Sequence, residues 1–190
     1  MQQRYAHIRE NGGNMKERVS VLIPEKELLE RIDQIAEQIN RDYEGKTLHL
    51  ICILKGSLFY TCELAKRIKV PVTLDCMSVS SYGDATSSSG VVRVLKDLDE
   101  TIENRDVIIV EDIIDSGRTL SYLLRNLASR NPASMRLTAL LDKPDRRVCD
   151  VKVDYTGFEI EDHFVIGFGL DYAQRYRNLP YIGILHLEEE

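Results

Sequence analysis

Short apolar runs alternate along this chain with segments of helical periodicity, and this alternation limits its possible folds more than any other feature. The runs LHLICIL (48–54) and VIIV (107–110) are apolar at nearly every position. Such continuity is typical of strands that are buried on both faces of a sheet. Strands are predicted at 19–24, 48–54, 72–82, 91–95, 107–112, 135–142, 164–171 and 181–187.

The segment at 25–43 has the clearest helical period. Leu28, Ile32, Ile35 and Ile39 fall on one face, with charged residues opposite. Strands that alternate with helices of this length predict an α/β domain with a mostly parallel central sheet flanked by helices. Two further helices are predicted at 57–69 and 117–130.

Composition narrows the class of protein. The chain has 190 residues, which suits one domain, and a net charge of −6 from 25 basic and 31 acidic residues. That balance disfavours nucleic-acid binding, which needs a basic surface. The longest apolar runs are too short to predict a membrane span.

Cysteine spacing points to a reducing compartment. The four cysteines form no CxxC pair, so buried, reduced thiols are favoured over a metal site or a disulfide, and a cytoplasmic location is expected. They are Cys52, Cys62, Cys76 and Cys149.

Four polar segments follow predicted strands. In a parallel sheet the carboxyl ends of the strands share one edge, and ligands bind beyond that edge. We therefore expect these segments to converge on one site. They are LKGS (54–57), EDIIDSGRT (111–119), LDKPD (141–145) and LDYAQRYRN (170–178).

The second of these segments combines two opposed features. Ser116, Gly117 and Thr119 predict a tight turn into a helix, which is a geometry that binds anions, yet three carboxylates lie beside it. A plain helix start, capped by Asp115 or Ser116, would explain the turn alone. A ribose 5-phosphate explains both features, because amides bind the phosphate and carboxylates accept hydrogen bonds from ribose hydroxyls. The carboxylates are those of Glu111, Asp112 and Asp115.

This stretch, VIIVEDIIDSGRTL (107–120), closely resembles the 5-phosphoribosyl-1-pyrophosphate (PRPP) signature of type I phosphoribosyltransferases. The resemblance runs from VSVLIP (19–24) onward, and the flanking segments are similar to those of the members that use 6-oxopurines. It implies purine salvage, in which the 5-phosphoribosyl group of PRPP passes to N9 of hypoxanthine or guanine. It also implies one domain at 15–190, with a small hood from the N-terminal segment and about 155–190; residues 1–14 are a polar arm.

The resemblance assigns roles around PRPP. Glu111 and Asp112 lie along the ribose hydroxyls, and with Asp171 they are the expected Mg²⁺ site. Arg177 contacts pyrophosphate. So does the loop at Lys55 and Gly56, with a cis peptide expected at Leu54–Lys55. The 5-phosphate loop consists of Ser116, Gly117, Arg118 and Thr119, where Arg118 replaces a common lysine.

The resemblance also implies a binding place for the purine, next to the residues that bind PRPP. The resemblance places Asp115 at the purine N7 as general base or hydrogen-bond partner, with Asp171 nearby. Lys143 donates to the oxygen at position 6, Phe164 stacks on the base, and Val165 offers backbone contacts. Without the resemblance, Lys143 could be an ordinary loop lysine and Phe164 a core residue.

The segment SSYGDATSSSG (80–90) is polar and rich in Ser and Gly. Composition alone favours a flexible connector. The resemblance makes it a lid, in which Ser81 and Tyr82 close over the reacting centre and exclude water.

Other readings stay open at this point. A PRPP-sensing regulator that binds nucleic acid shares this fold, and so do xanthine-preferring and pyrimidine-linked transferases. The position of Lys143 disfavours the pyrimidine reading. The family usually forms homodimers or homotetramers, so we expect self-association, small-molecule substrates and no membrane or nucleic-acid partner.

Overall fold

The computed structural model describes residues 5–6, 15–81 and 92–189. The strands in this part of the chain are β1 (Tyr5–Ala6), β2 (Met15–Ile23), β3 (Leu48–Leu54), β4 (Val72–Ser81), β5 (Val92–Lys96), β6 (Asp106–Ile114), β7 (Ser134–Asp142), β8 (Tyr155–Glu159), β9 (Val165–Ile166) and β10 (Ile182–Glu189). The helices are α1 (Glu25–Asp42), α2 (Leu58–Ala65) and α3 (Arg118–Ala128), with a 3₁₀ turn at Pro144–Arg146.

The larger sheet confirms the expected α/β class. Its order is β5-β4-β3-β6-β7-β8. The pairings from β4 through β3, β6 and β7 to β8 are parallel, and only β5 runs antiparallel to its neighbour. The carboxyl ends of β3, β6 and β7 therefore meet at one edge, as the sequence predicts.

Helices cover both faces of this sheet. On α1, Leu28, Ile32, Ile35 and Ile39 are buried in the core that α1 and α2 form against one face. The face of α3 that carries Leu120, Leu123 and Leu127 is buried against the other. The apolar period read from the sequence is thus the face that packs on the sheet.

A second, four-stranded sheet joins the two ends of the chain. Its order is β1-β2-β10-β9 with antiparallel pairing, so an N-terminal and a C-terminal segment form one small layer. Residues 155–159, expected in the hood, instead form β8 at the edge of the larger sheet. Most of the arm at 1–14 lies outside the described residues, apart from β1.

The strand predicted at 164–171 is much shorter in the structure. Only Val165–Ile166 is extended, and a loop with positive φ follows at Gly167 (95°), Phe168 (48°) and Gly169 (105°). The apolar side chains of Phe168 and Leu170 are buried, although they lie in a loop. Burial alone therefore explains the hydrophobic run that we interpreted as a strand.

The four cysteines are free thiols, as expected. Cys52 is buried, whereas Cys62 is exposed, so the prediction of burial is wrong for Cys62. Every helix among the described residues is too short or too polar to span a bilayer.

Candidate active site

A cleft of about 380 Å³ opens at the carboxyl ends of β3 and β6. Three of the four predicted segments line it: the loop after β3, the stretch from the end of β6 into α3, and the loop after β9. Its lining includes Lys55, Gly56, Glu111, Asp112, Asp115, Ser116, Gly117, Arg118, Thr119, Asp171 and Arg177.

The acid pair belongs to the end of β6 and not to a turn. Burial, followed by the negative charge of Asp112, raises the pKa of Glu111 well above its ordinary value. Burial also raises the pKa of Asp112 to about 6, and Arg177 partly opposes this effect. Within the described residues, Oε2 of Glu111 is buried and has no hydrogen-bond partner. A buried acceptor of this kind indicates a place for a ligand.

The turn into α3 has the geometry expected of a phosphate loop. Gly117 has φ +77° and directly precedes the helix, whose first turn presents backbone N–H groups. The carbonyl of Ser116 accepts hydrogen bonds from the N–H groups of Val148 (3.1 Å) and Cys149 (3.3 Å). A Cβ at Gly117 would lie 3.2 Å from Cδ of Arg147, so the turn packs closely on the segment after β7.

The loop after β3 contains the cis peptide that was predicted at Leu54–Lys55. Its lysine reaches toward the loop after β9, since Nζ of Lys55 donates to Oε1 of Gln174 at 3.3 Å. Gln174 also accepts a hydrogen bond from Nη2 of Arg177 at 3.4 Å. The two cations assigned to pyrophosphate are therefore joined through one neutral side chain.

Asp171 and Arg177 form an ion pair in the same loop. Nη2 of Arg177 lies 2.6 Å from Oδ1 of Asp171, and Nη1 donates to the carbonyl of Gly169 at 2.6 Å. The backbone N–H of Gln174 donates to Oδ2 of Asp171 at 2.8 Å. These contacts fix both side chains at the edge of the cleft, where Asp171 adds to the negative field on Asp112.

Of the residues predicted at the purine, Asp115 and Asp171 line the cleft, whereas Lys143, Phe164 and Val165 do not. Lys143 is only 8% exposed, and its Nζ donates to Oδ1 of Asp162 (3.0 Å) and to the carbonyl of His163 (2.7 Å). Phe164 is 55% exposed and meets Tyr172 edge-on, with ring centroids 5.8 Å apart. It is therefore a surface aromatic available for stacking, whereas the neighbouring Val165 is buried.

The sequence of this chain matches the model of the phosphoribosyl transferase domain over residues 23–173. The chain belongs to the phosphoribosyltransferase family. The match includes the acid pair, the turn at Gly117 and the loop after β3.

Individual phosphoribosyltransferases resemble the chain along most of its length. It is 52% identical over 172 residues to a hypoxanthine-guanine phosphoribosyltransferase of Mycobacterium tuberculosis, covering 87% of this chain and 85% of the relative. A hypoxanthine-guanine phosphoribosyltransferase of Bacillus subtilis is 48% identical over 165 residues, covering 87% of this chain and 92% of the relative. A crystal structure of the Bacillus anthracis enzyme of that name superposes with a TM-score of 0.84 at 45% identity, covering 87% of this chain and 97% of the other.

Two charged residues beside the cleft, Arg146 and Asp162, were not predicted from the sequence of this phosphoribosyltransferase. Nε of Arg146 donates to Oδ1 of Asp115 at 3.0 Å, and Asp162 lies between Arg146 and Lys143. Both residues read as ordinary solvated charges in loops. The only available signal was that each lies within three residues of a predicted purine contact.

Of the two residues predicted to belong to a lid, the structure describes one. Ser81 is the last residue of β4, which leads toward the segment in question, and Tyr82 lies outside the described residues.

Proposed function

We propose that this protein transfers the 5-phosphoribosyl group of PRPP to N9 of hypoxanthine or guanine, releasing pyrophosphate and forming IMP or GMP. The observation that carries the proposal is the partly buried acid pair at the end of β6. It lies in one cleft with the turn into α3 and with Lys55 and Arg177. Each part of this cleft complements one part of PRPP: the turn complements the 5-phosphate, the acid pair the vicinal hydroxyls, and the two cations the pyrophosphate.

The assignments for PRPP follow from the charges in the cleft. Backbone N–H groups and hydroxyls from Ser116 to Thr119 bind the 5-phosphate at the helix N-terminus, with Gly117 allowing the turn. Glu111 and Asp112 accept hydrogen bonds from the ribose hydroxyls. Lys55, Gly56 and Arg177 bind pyrophosphate through charge and backbone contact.

The residues present also fit Mg²⁺. Among the described residues, no three acidic, histidine or cysteine side chains form a complete metal site. Magnesium commonly takes one or two carboxylates and completes its shell with water and substrate phosphates. The candidates for this role are Glu111, Asp112 and Asp171, of which one or two would hold the ion while water and substrate phosphates complete its shell. The unpartnered Oε2 of Glu111 supports this assignment. The ion would neutralise charge on the leaving pyrophosphate.

The purine is assigned to the side of the cleft where Asp115 lies. Asp115 accepts the proton or hydrogen bond of N7 while N9 attacks the ribose carbon. Lys143 donates to the oxygen at position 6, which favours hypoxanthine and guanine over adenine. Phe164 stacks on the ring, and its exposed face supports this role. Val165 supplies backbone contacts in β9.

The segment after β4 is proposed as a lid, with Ser81 and Tyr82 closing over the reacting centre. An oxocarbenium-like ribosyl centre is susceptible to water, so closure would protect the transfer. The small sheet of β1, β2, β10 and β9 is proposed as the hood beside the purine.

We further propose a cytoplasmic homodimer or homotetramer. The free thiols are compatible with a reducing compartment. The exposed apolar side chains of Leu58 and Phe59, beside the loop at Lys55, are compatible with a subunit contact.

The test is turnover with PRPP, Mg²⁺ and hypoxanthine, in which IMP and pyrophosphate are quantified together. We expect equimolar products and their loss when a chelator removes Mg²⁺. PRPP binding without turnover of any base, together with salt-sensitive RNA binding, would instead establish the nucleic-acid-binding regulator. Turnover of xanthine alone would keep the chemistry and change the substrate.

A further inference from the structure

A chain of alternating charges joins the two residues assigned to the purine. Nε of Arg146 donates to Oδ1 of Asp115 at 3.0 Å, and Nη1 of Arg146 lies 3.5 Å from Oδ2 of Asp162. Oδ1 of Asp162 accepts a hydrogen bond from Nζ of Lys143 at 3.0 Å. Arg146 is the only member of this chain that contacts both carboxylates.

The backbone that carries Arg146 is well fixed. Pro144 begins a single 3₁₀ turn in which the N–H of Arg146 donates to the carbonyl of Lys143 at 3.1 Å. The next residue, Arg147, anchors the turn, since its guanidinium lies 2.5 Å from Oδ1 of Asp142 and donates to the carbonyl of Val151 at 2.7 Å. Lys143 and Arg146 are therefore presented by one short, anchored turn.

We propose that Arg146 is a positioning residue for the purine. It holds one carboxylate oxygen of Asp115, which leaves the other for N7, and through Asp162 it sets the ammonium of Lys143 for the oxygen at position 6. This inference rests on the proposed function, because it depends on those two purine contacts. It goes beyond that function by assigning roles to Arg146 and Asp162.

The charges explain why one residue can affect both contacts. Removing Arg146 would take away the cation that lies between the carboxylates of Asp115 and Asp162, so neither carboxylate would be held by it. Both are about half exposed in the absence of substrate, where water screens such pairs and their effect is small. A bound purine excludes that water, so the pairing acts mainly in the complex.

The test compares two purine analogues that differ in the contact of interest. In 9-deazahypoxanthine the N7–H donor is kept and the attacking nitrogen is replaced by carbon; in 7-deazahypoxanthine a C–H group replaces N7. Inhibition constants for both are measured for the wild type, Arg146→Gln and Arg146→Lys. The matched control is Arg130→Gln, which removes another arginine–carboxylate pair, that of Arg130 and Asp97 (2.7 Å), from a surface away from the cleft.

We expect Arg146→Gln to weaken 9-deazahypoxanthine about tenfold, because both contacts are disturbed. The loss for 7-deazahypoxanthine should be smaller, about threefold, because it keeps the oxygen at position 6 but has no N7 donor for Asp115. Arg146→Lys should recover part of the loss, because it restores the charge. The KM for PRPP and the melting temperature should match those of the control. In an Asp115→Asn background, Arg146→Gln should produce a smaller further loss, since only its effect on Lys143 remains.

Equal weakening of both analogues, a matching rise in the KM for PRPP, or no effect at all would overturn the inference. The inference would also be overturned if the losses caused by Arg146→Gln and Asp115→Asn were fully additive in the double variant. These results are separable from a failure of the proposed function, which would appear first as a wild-type protein that forms no IMP.

Discussion

Gly56 lies directly against the carboxylate of Asp112: a Cβ at Gly56 would lie 1.5 Å from Oδ2 of Asp112. On the other side, a Cβ at Gly169 would lie 1.9 Å from the carbonyl oxygen of Gly56. The loop assigned to pyrophosphate thus fits between the acid pair and the loop after β9 only because glycines occupy both positions. The loop after β3, the end of β6 and the loop after β9 are therefore packed against one another at this point.

Gly56→Ala should therefore lower kcat/KM by about 10²-fold, because the added methyl group displaces either Asp112 or the loop by about 1 Å or more. The control is Gly45→Ala. Gly45 has φ +74° but no atom within 4 Å of a Cβ, so this change strains the backbone without a clash. Steady-state kinetics and thermal melts should show lost activity for the first variant and only lower stability for the second. Normal activity of Gly56→Ala would refute the close packing.

The partly buried acid pair predicts an unusual dependence of stability on pH. The pKa of Asp112 rises from its ordinary 3.8 to about 6, so the folded protein holds a proton that the unfolded chain has lost. The free energy of unfolding therefore falls as the pH rises through this window, and the whole penalty applies above it. A raised pKa of Glu111 acts in the same direction.

Asp112→Asn removes that penalty. The variant should be more stable than the wild type by on the order of 2 kcal/mol at about pH 7.5, and the difference should shrink at about pH 4.5. Urea unfolding at the two pH values measures this, with the exposed Asp150→Asn as the control. The same variant should bind PRPP more weakly, because the carboxylate is lost. A stability difference that does not change with pH would contradict the assignment.

Asp115→Ala should lower kcat by about 10²–10⁴-fold if the carboxylate takes or shares the N7 proton near the transition state. PRPP does not need this carboxylate, so its binding should stay measurable. Asp115→Asn serves as the second variant, since it keeps the shape beside Arg146. Rapid-quench kinetics and a PRPP binding assay separate the two effects. If binding and turnover fell equally, the base assignment would fail.

Lys143→Ala should raise the KM for hypoxanthine by about tenfold or more, because the oxygen at position 6 loses its donor. The KM for PRPP should change far less. Lys152→Ala, which removes an exposed lysine paired with Asp154, is the control. Unchanged purine kinetics in Lys143→Ala would remove this lysine from the site.

Sequence patterns predicted the larger sheet well where strands are buried on both faces. The strands β3, β6 and β7 each contain a buried run of mostly apolar residues, and polar segments mark their carboxyl ends. The strand β8 (YTGFE) was missed because only part of it is buried and Gly157 weakens the pattern. Gly157 is nevertheless needed there, since a Cβ would lie 2.2 Å from the carbonyl oxygen of Leu140.

The sequence predicted the residues of the PRPP side of the cleft better than the contacts between residues on the purine side. The acid pair and the turn at Gly117 follow one another in a single motif, so sequence spacing predicts their proximity. The contact of Arg146 with Asp115 spans 31 residues and depends on how the segment after β7 packs against the turn at Gly117. No periodicity encodes such a contact, because both residues lie in irregular backbone.

The central claim is tested most directly by competition among bases. The wild-type protein is given PRPP, Mg²⁺ and equal concentrations of hypoxanthine, guanine, xanthine, adenine and uracil, and mass spectrometry identifies the nucleotides formed. We predict that IMP and GMP are the main products. AMP or UMP as the main product, or the absence of any nucleotide, would contradict the claim.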